Sequence, residues 1–194
     1  MKSKTKTRIL SIVEGAVMVA LTIVLDMLPL PEWPQGGGIS VAVVPLLFYA
    51  YRRGTSWGLM AGLVWSCVQM LTGMYLPPAN TVGAIILCVL LDYVLAFTAV
   101  GLSPLFARLF GEKRLVGYAV GAVGVGLIRC LCSVLSGGLL WGSYAPEGVG
   151  VWAYSIGYNC GYMIPNAIIS AILIVALASA ADPLTLRPYK RKKE

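Results

Sequence analysis

The 194-residue chain contains no histidine. That excludes imidazole general acid–base chemistry, histidine metal sites and the usual histidine-relayed serine or cysteine hydrolases. Charge is scarce as well: charged residues make up 12% of the chain, about half the density of a soluble domain. With 58% hydrophobic residues beside so few charges, the chain is neither a soluble globular protein nor a disordered one. Cysteine is present without a metal-binding pattern. Cys67, Cys88, Cys130, Cys132 and Cys160 all lie in apolar stretches, no CxxC occurs, and Cys130 and Cys132 stand too close for a zinc pair. They read as small apolar fillers. A phosphate loop of the GxxxxGKS type is also missing, so any ATP must be hydrolysed elsewhere.

What the chain does have is long apolar runs. A bilayer core needs about 20 apolar residues per helix. Six runs qualify, the second only as a short one: Ile9–Leu28, Ile39–Tyr51, Ser56–Gly73, Thr81–Gly101, Leu115–Leu140 and Tyr154–Ala181. The first is too long for a signal-peptide core, and no small-residue cleavage site precedes the second. The expectation is an all-α, six-helix integral membrane bundle over residues 9–181, flanked by basic tails at 1–8 and 182–194.

Positive charge orients the bundle. The amino tail carries Lys2, Lys4, Lys6 and Arg8; the second loop Arg52 and Arg53; the fourth Arg108, Lys113 and Arg114; the carboxy tail Arg187, Lys190, Arg191, Lys192 and Lys193. All but one of the 15 basic residues thus fall on one side of a six-helix chain. A wrong helix count would scatter them, so both termini are expected in the cytoplasm. The net charge of +7 then reflects topology and contact with anionic lipid, with no nucleic acid implied.

The outer loops are different. Pro29–Gly38, Met74–Asn80 and Trp141–Trp152 are rich in Pro, Gly and aromatics and almost uncharged. Single Trp and Tyr residues at helix ends are ordinary interfacial anchors. Trp33, Trp141, Tyr144 and Trp152 together, in turn-forming loops on one side, point to a lid with stacking surfaces.

Few polar residues lie within the membrane. Asp92 is about 11 residues into the fourth helix, roughly 16 Å deep at 1.5 Å per residue. Arg129 is about as deep in the fifth. Buried charges there mark a function or a partner. Two readings are open: an Asp92–Arg129 ion pair joining two helices, or an Asp92 that faces a cavity and binds a cationic or hydrogen-bonding ligand. Glu14 lies near the cytoplasmic end, within reach of arginines. Tyr158 and Asn159 reach the same outer half as Trp141. In the first helix Ala16 and Ala20, preceded by Gly15, share one face and admit close helix approach, inside this bundle or against another chain.

Trp141-Gly-Ser-Tyr-Ala-Pro-Glu-Gly148 and Tyr154-Ser-Ile-Gly-Tyr-Asn159-Cys-Gly-Tyr-Met-Ile-Pro165 are two unusual stretches. They resemble the thiamine-specific substrate-binding subunit of energy-coupling factor transporters. Pro34–Ser40 leading to Val44-Pro45, Arg52-Arg53-Gly54, Ala61–Trp65, Leu91–Phe97 and Ser136-Gly137 add to them, and the likeness runs from about residue 9 to residue 181. The resemblance implies a vitamin-binding membrane protein without enzymatic activity or cofactor, in a bacterial plasma membrane. It implies thiamine as ligand, with a transmembrane coupling protein and two ATPase subunits as partners. Residue by residue, it implies a stacking role for Trp141 and ligand contacts from Tyr154 and Asn159. It also implies aromatic walls from Trp33 and Trp65, and an acidic-Tyr pair at Asp92-Tyr93. Ala16 and Ala20 fall on the small-residue motif that docks such subunits on the coupling protein. Where the family usually has Glu, this chain has Asp92, and where it usually has His, this chain has Ser133; a shorter acid and a smaller polar group are the two departures.

The residues suit a flat cation in their own right. Aromatic faces attract cations by about 0.5–2 kcal/mol each, and a carboxylate neutralises positive charge or accepts from an amino group. The other classes are a related precursor or pyrimidine as ligand, a non-transport membrane scaffold, and an intramembrane enzyme built on Ser133 or Ser136 with Arg129 or Asp92. The last lacks a base, having no histidine and no intramembrane lysine.

Overall fold

Long apolar runs become helices here because a membrane helix satisfies its own backbone polar groups. The computed structural model describes residues 2–111 and 113–187, with the side chains of residues 2–4 excepted. Among the described residues six helices follow one another with no β-strand: α1 (Lys2–Asp26), α2 (Val43–Arg53), α3 (Thr55–Gly73), α4 (Val82–Arg108), α5 (Arg114–Leu140) and α6 (Val151–Ala180). α1, α4, α5 and α6 are each long and apolar enough to cross a membrane. The basic residues Lys190–Lys193 and the side chains of Lys2 and Lys4 lie outside the described residues.

Helix ends elsewhere shift by up to four residues, the second starting at Val43 in place of Ile39 and the sixth at Val151 in place of Tyr154, and three differences from the sequence reading are larger. α1 starts at Lys2, so the amino tail expected at 1–8 is helical where it is described. α4 runs on to Arg108 and is not uniform: a π-helical turn at Val89–Leu95 and a 3-10 stretch at Ala99–Leu102 interrupt it. Pro104 has no N–H to give the preceding turn, which accounts for the tighter stretch before it. The third difference is at the carboxy end. Asp182, expected in a free tail, is buried and takes hydrogen bonds from Arg114 Nη1 at 3.2 and 3.3 Å.

α2 is the centre of the bundle. Its 11 residues span only about 16 Å, half a bilayer core, and its Leu46, Leu47, Tyr49 and Ala50 are fully enclosed. Lipid offers no hydrophobic drive between helices, so close packing must supply the attraction. Glycine makes it possible: a Cβ on Gly101 would lie 2.2 Å from Leu59 N, and one on Gly126 would lie 2.5 Å from Ala167 Cβ.

Charges concentrate at one end of the bundle. Glu14 accepts from both Arg52 and Arg53, and Arg52 Nη1 donates to the Pro183 carbonyl at 3.1 Å. Glu14 therefore ties α1 to α2 as expected. The opposite end holds loop Met27–Ala42, the 74–81 connection and the 141–150 connection, and between them a cavity opens.

Candidate functional site

The cavity has a volume of about 340 Å³, within the range of small-molecule sites. α1, α3, α5 and α6 contribute mainly their halves away from the basic face, α4 its middle around Asp92–Phe97, and α2 only its first residue, Val43.

α4 presents Asp92 from its π turn. A π turn widens the helix by one residue per hydrogen bond and re-aims the side chains it carries. Asp92 Oδ2 accepts from Ser136 Oγ on α5 and from Cys88 Sγ at 3.5 Å. Trp141 Nε1 donates to the same Ser136 hydroxyl at 3.3 Å. One carboxylate oxygen, one serine and the indole edge thus form a chain that fixes the Trp141 ring beside the acid. Tyr144 stacks on Trp141 with centroids 6.0 Å apart. Cys88, read from sequence as a filler, is a donor to the site.

α6 supplies a ladder of polar groups at successive turns. Asn159 Nδ2 donates to the Ser155 carbonyl at 3.0 Å, and its Oδ1 accepts from Tyr162 Oη at 3.0 Å. Tyr154 Oη reaches Gln35 Oε1 at 3.4 Å, and Tyr158 Oη donates to the Gly36 carbonyl at 3.0 Å. Asn166 Nδ2 donates to the Gly38 carbonyl at 2.8 Å, while its Oδ1 accepts from Ser40 N at 3.0 Å. α6 therefore holds the first loop closed over the cavity. The loop turns sharply at Gly36 and Gly37, both at positive φ, where a side chain would be strained.

The third wall is aromatic. Trp65 meets Phe97 edge to face with centroids 4.4 Å apart, and Phe97 lies parallel to Tyr93 at 6.1 Å. The Arg129 guanidinium sits 5.2 Å from the Trp65 ring and 5.1 Å from the Phe97 ring. Its Nε is buried and has no hydrogen-bond partner. Arg129 and Asp92 make no ion pair, so the purely structural pairing left open by the sequence is absent.

Of the residues singled out from sequence, Trp65, Asp92, Tyr93, Ser133, Trp141, Tyr154 and Asn159 come together around this one cavity. Trp33 does not line it; its ring packs behind Tyr162 at 5.7 Å, held there by the tight loop turn. Nor does Trp152 line it, so the four-aromatic lid reduces to Trp141 and Tyr144. Ala16 and Ala20 do not line the cavity and are exposed on α1, while the buried Gly15 abuts Tyr49. Sequence reasoning passed over Asp26, Gln69, Tyr162 and Asn166. Asp26 and Gln69 were each a lone polar residue in or at the end of an apolar run, and that was the available signal.

Known proteins match this chain over nearly its full length. The model of the thiamine transporter protein family matches residues 12–186. The thiamine transporter ThiT of Bacillus subtilis (strain 168) is 34% identical over 187 residues, which cover 91% of this chain and 94% of that protein. The thiamine transporter ThiT of Lacticaseibacillus paracasei is 27% identical over 186 residues, 89% of each chain. Among solved structures, ThiT from Listeria monocytogenes superposes with a TM-score of 0.73 at 26% identity, covering 88% of this chain and 94% of that one.

Proposed function

Since this chain belongs to the thiamine transporter protein family, a family of multi-pass bacterial membrane transporters and not of enzymes, we propose that it captures thiamine from outside the cell in the cavity described above. The observation that carries this reading is the Asp92–Ser136–Trp141 chain. It sets a carboxylate and a fixed aromatic face side by side, which is what a flat ring with an amino group requires. The aminopyrimidine stacks on Trp141 with its amino group toward Asp92. Asn159 and Tyr154 meet the ring nitrogens, Trp65 and Tyr93 form the opposite wall, and Ser133 lies beside the ligand where the family has histidine. Trp33 acts through Tyr162 and not by contact.

The remaining steps follow the family resemblance. The basic face is cytoplasmic and the cavity opens outward. Ala16 and Ala20 dock on a transmembrane coupling protein that works with two ATPase subunits, and the loaded subunit delivers its vitamin inward. The exposure of both alanines on α1 supports a docking role over packing within the bundle.

Titrating purified protein with thiamine while following tryptophan fluorescence tests the ligand. Saturable quenching that is lost in Trp141→Ala is expected. Preference for a free pyrimidine precursor over thiamine in competition would reassign the ligand, and no saturable change with any of them would favour a scaffold.

A further inference from the structure

The cavity has a second polar end that neither the family motif nor the Asp92 cluster uses. Asp26, the last residue of α1, lines it. Gln69 Nε2 of α3 donates to Asp26 Oδ2 at 2.6 Å, and Ser40 Oγ of the first loop donates to Oδ1 at 3.3 Å. Two elements therefore hold this carboxylate in place, with acceptor capacity to spare on each oxygen. Arg129 lines the same cavity, forms no ion pair with Asp26, and keeps its buried Nε without a hydrogen-bond partner. A ligand hydroxyl within reach of both has an acceptor in Asp26 and a donor in Arg129. Glu32 lines the cavity too, so three carboxyl groups and one guanidinium share it. Such a field favours a cation and opposes an anion, and the low dielectric within the bundle strengthens both effects.

We propose that Asp26, positioned by Gln69 and Ser40, is the specificity residue of this second end: it takes the free hydroxyl of the cationic ligand and excludes the phosphate ester. A hydroxyl donates to Asp26 and accepts from Arg129 at once. A phosphate in the same place keeps the Arg129 contact but brings its charge against Asp26. The inference rests on the thiamine reading above and adds which form of the vitamin is admitted.

The test uses the full-length protein in detergent or nanodiscs and three ligands: thiamine, its neutral O-acetyl ester, and thiamine monophosphate. The wild type is expected to bind the monophosphate at least tenfold more weakly than the acetyl ester, which has comparable bulk without the charge. Asp26→Asn is expected to close most of that gap by improving the monophosphate, while Asp92→Asn shifts all three ligands together. Equal loss with both esters in the wild type means that size alone discriminates and overturns the proposal, with no variant needed. A gap unchanged in a folded Asp26→Asn protein overturns it as well. Failure of the wild type to bind thiamine at all would sink the underlying ligand reading instead, so the two failures are distinguishable.

Discussion

Arg129 and Asp92 face one cavity from neighbouring helices and do not pair. Asp92 is engaged by Ser136 and Cys88, and Arg129 lies over the Trp65 and Phe97 rings. Opposite charges in a membrane interior normally neutralise each other. Keeping them apart leaves both for a ligand, and the aromatic rings stabilise the guanidinium meanwhile.

This separation decides what Asp92→Asn does. A charged hydrogen bond contributes about 1.5–3 kcal/mol against roughly 1 for a neutral one. Thiamine binding should weaken by about tenfold or more, with thermal stability close to wild type. Adding Arg129→Gln should not restore affinity, because no pair was broken. Asp92→Glu, the residue usual in the family, should bind thiamine at least as well. Isothermal titration of the four proteins checks this, and strong destabilisation of Asp92→Asn with rescue by Arg129→Gln would reinstate a structural pair.

Trp141→Ala should weaken thiamine binding by about 1–3 kcal/mol through lost stacking and cation–π attraction. Trp57 packs partly buried near the basic end of α3 and does not line the cavity. Trp57→Ala should leave affinity unchanged, whatever it does to stability. Equal losses of affinity at both positions, measured by radiolabelled thiamine binding, would mean that the tryptophans serve only to anchor the protein in the bilayer.

Topology is directly measurable. In a background lacking the five native cysteines, a cysteine at Asn80 or Gly148 should react from outside with an impermeant maleimide. One at Gly54 or Gly111 should react only after the cells are opened. The reverse pattern would invert the charge-based orientation and put the cavity mouth inside.

The helix count and order were legible because each apolar run is bounded by loops of sharply different composition. Trp141 and Asn159 were legible because they sit in unbroken motifs. Other features depend on partners distant in sequence. Asp182 is fixed by Arg114, 68 residues away, so a carboxylate that reads as tail is part of the folded end. Asp26 looks like a helix boundary until Gln69, 43 residues on, turns it inward. The π turn around Asp92 has no sequence signal of its own, since the residues of Val89–Leu95 suit an ordinary helix equally. Trp33 was placed in the right loop, but which way it faces is set by the Gly36–Gly37 turn against Tyr162.

The last prediction separates folding, binding and coupling on three neighbouring positions of α1. Gly15 faces inward, where a Cβ would lie 2.7 Å from Tyr49 Oη. That hydroxyl is committed to the Ser11 carbonyl at 2.8 Å and has little room to retreat. Gly15→Val should therefore lower stability and with it the yield of folded protein. Ala16 and Ala20 face outward, so Ala16→Trp and Ala20→Trp add a ring where the bundle has nothing to clash with it. Both purified variants should bind thiamine as the wild type does, because neither residue lines the cavity and both face away from the bundle. Uptake in cells should nevertheless fail, since a large side chain blocks close approach of another helix. Normal uptake by both tryptophan variants would remove the docking role from this face, and loss of thiamine binding by the purified variants would show that α1 transmits strain to Asp26 and the cavity.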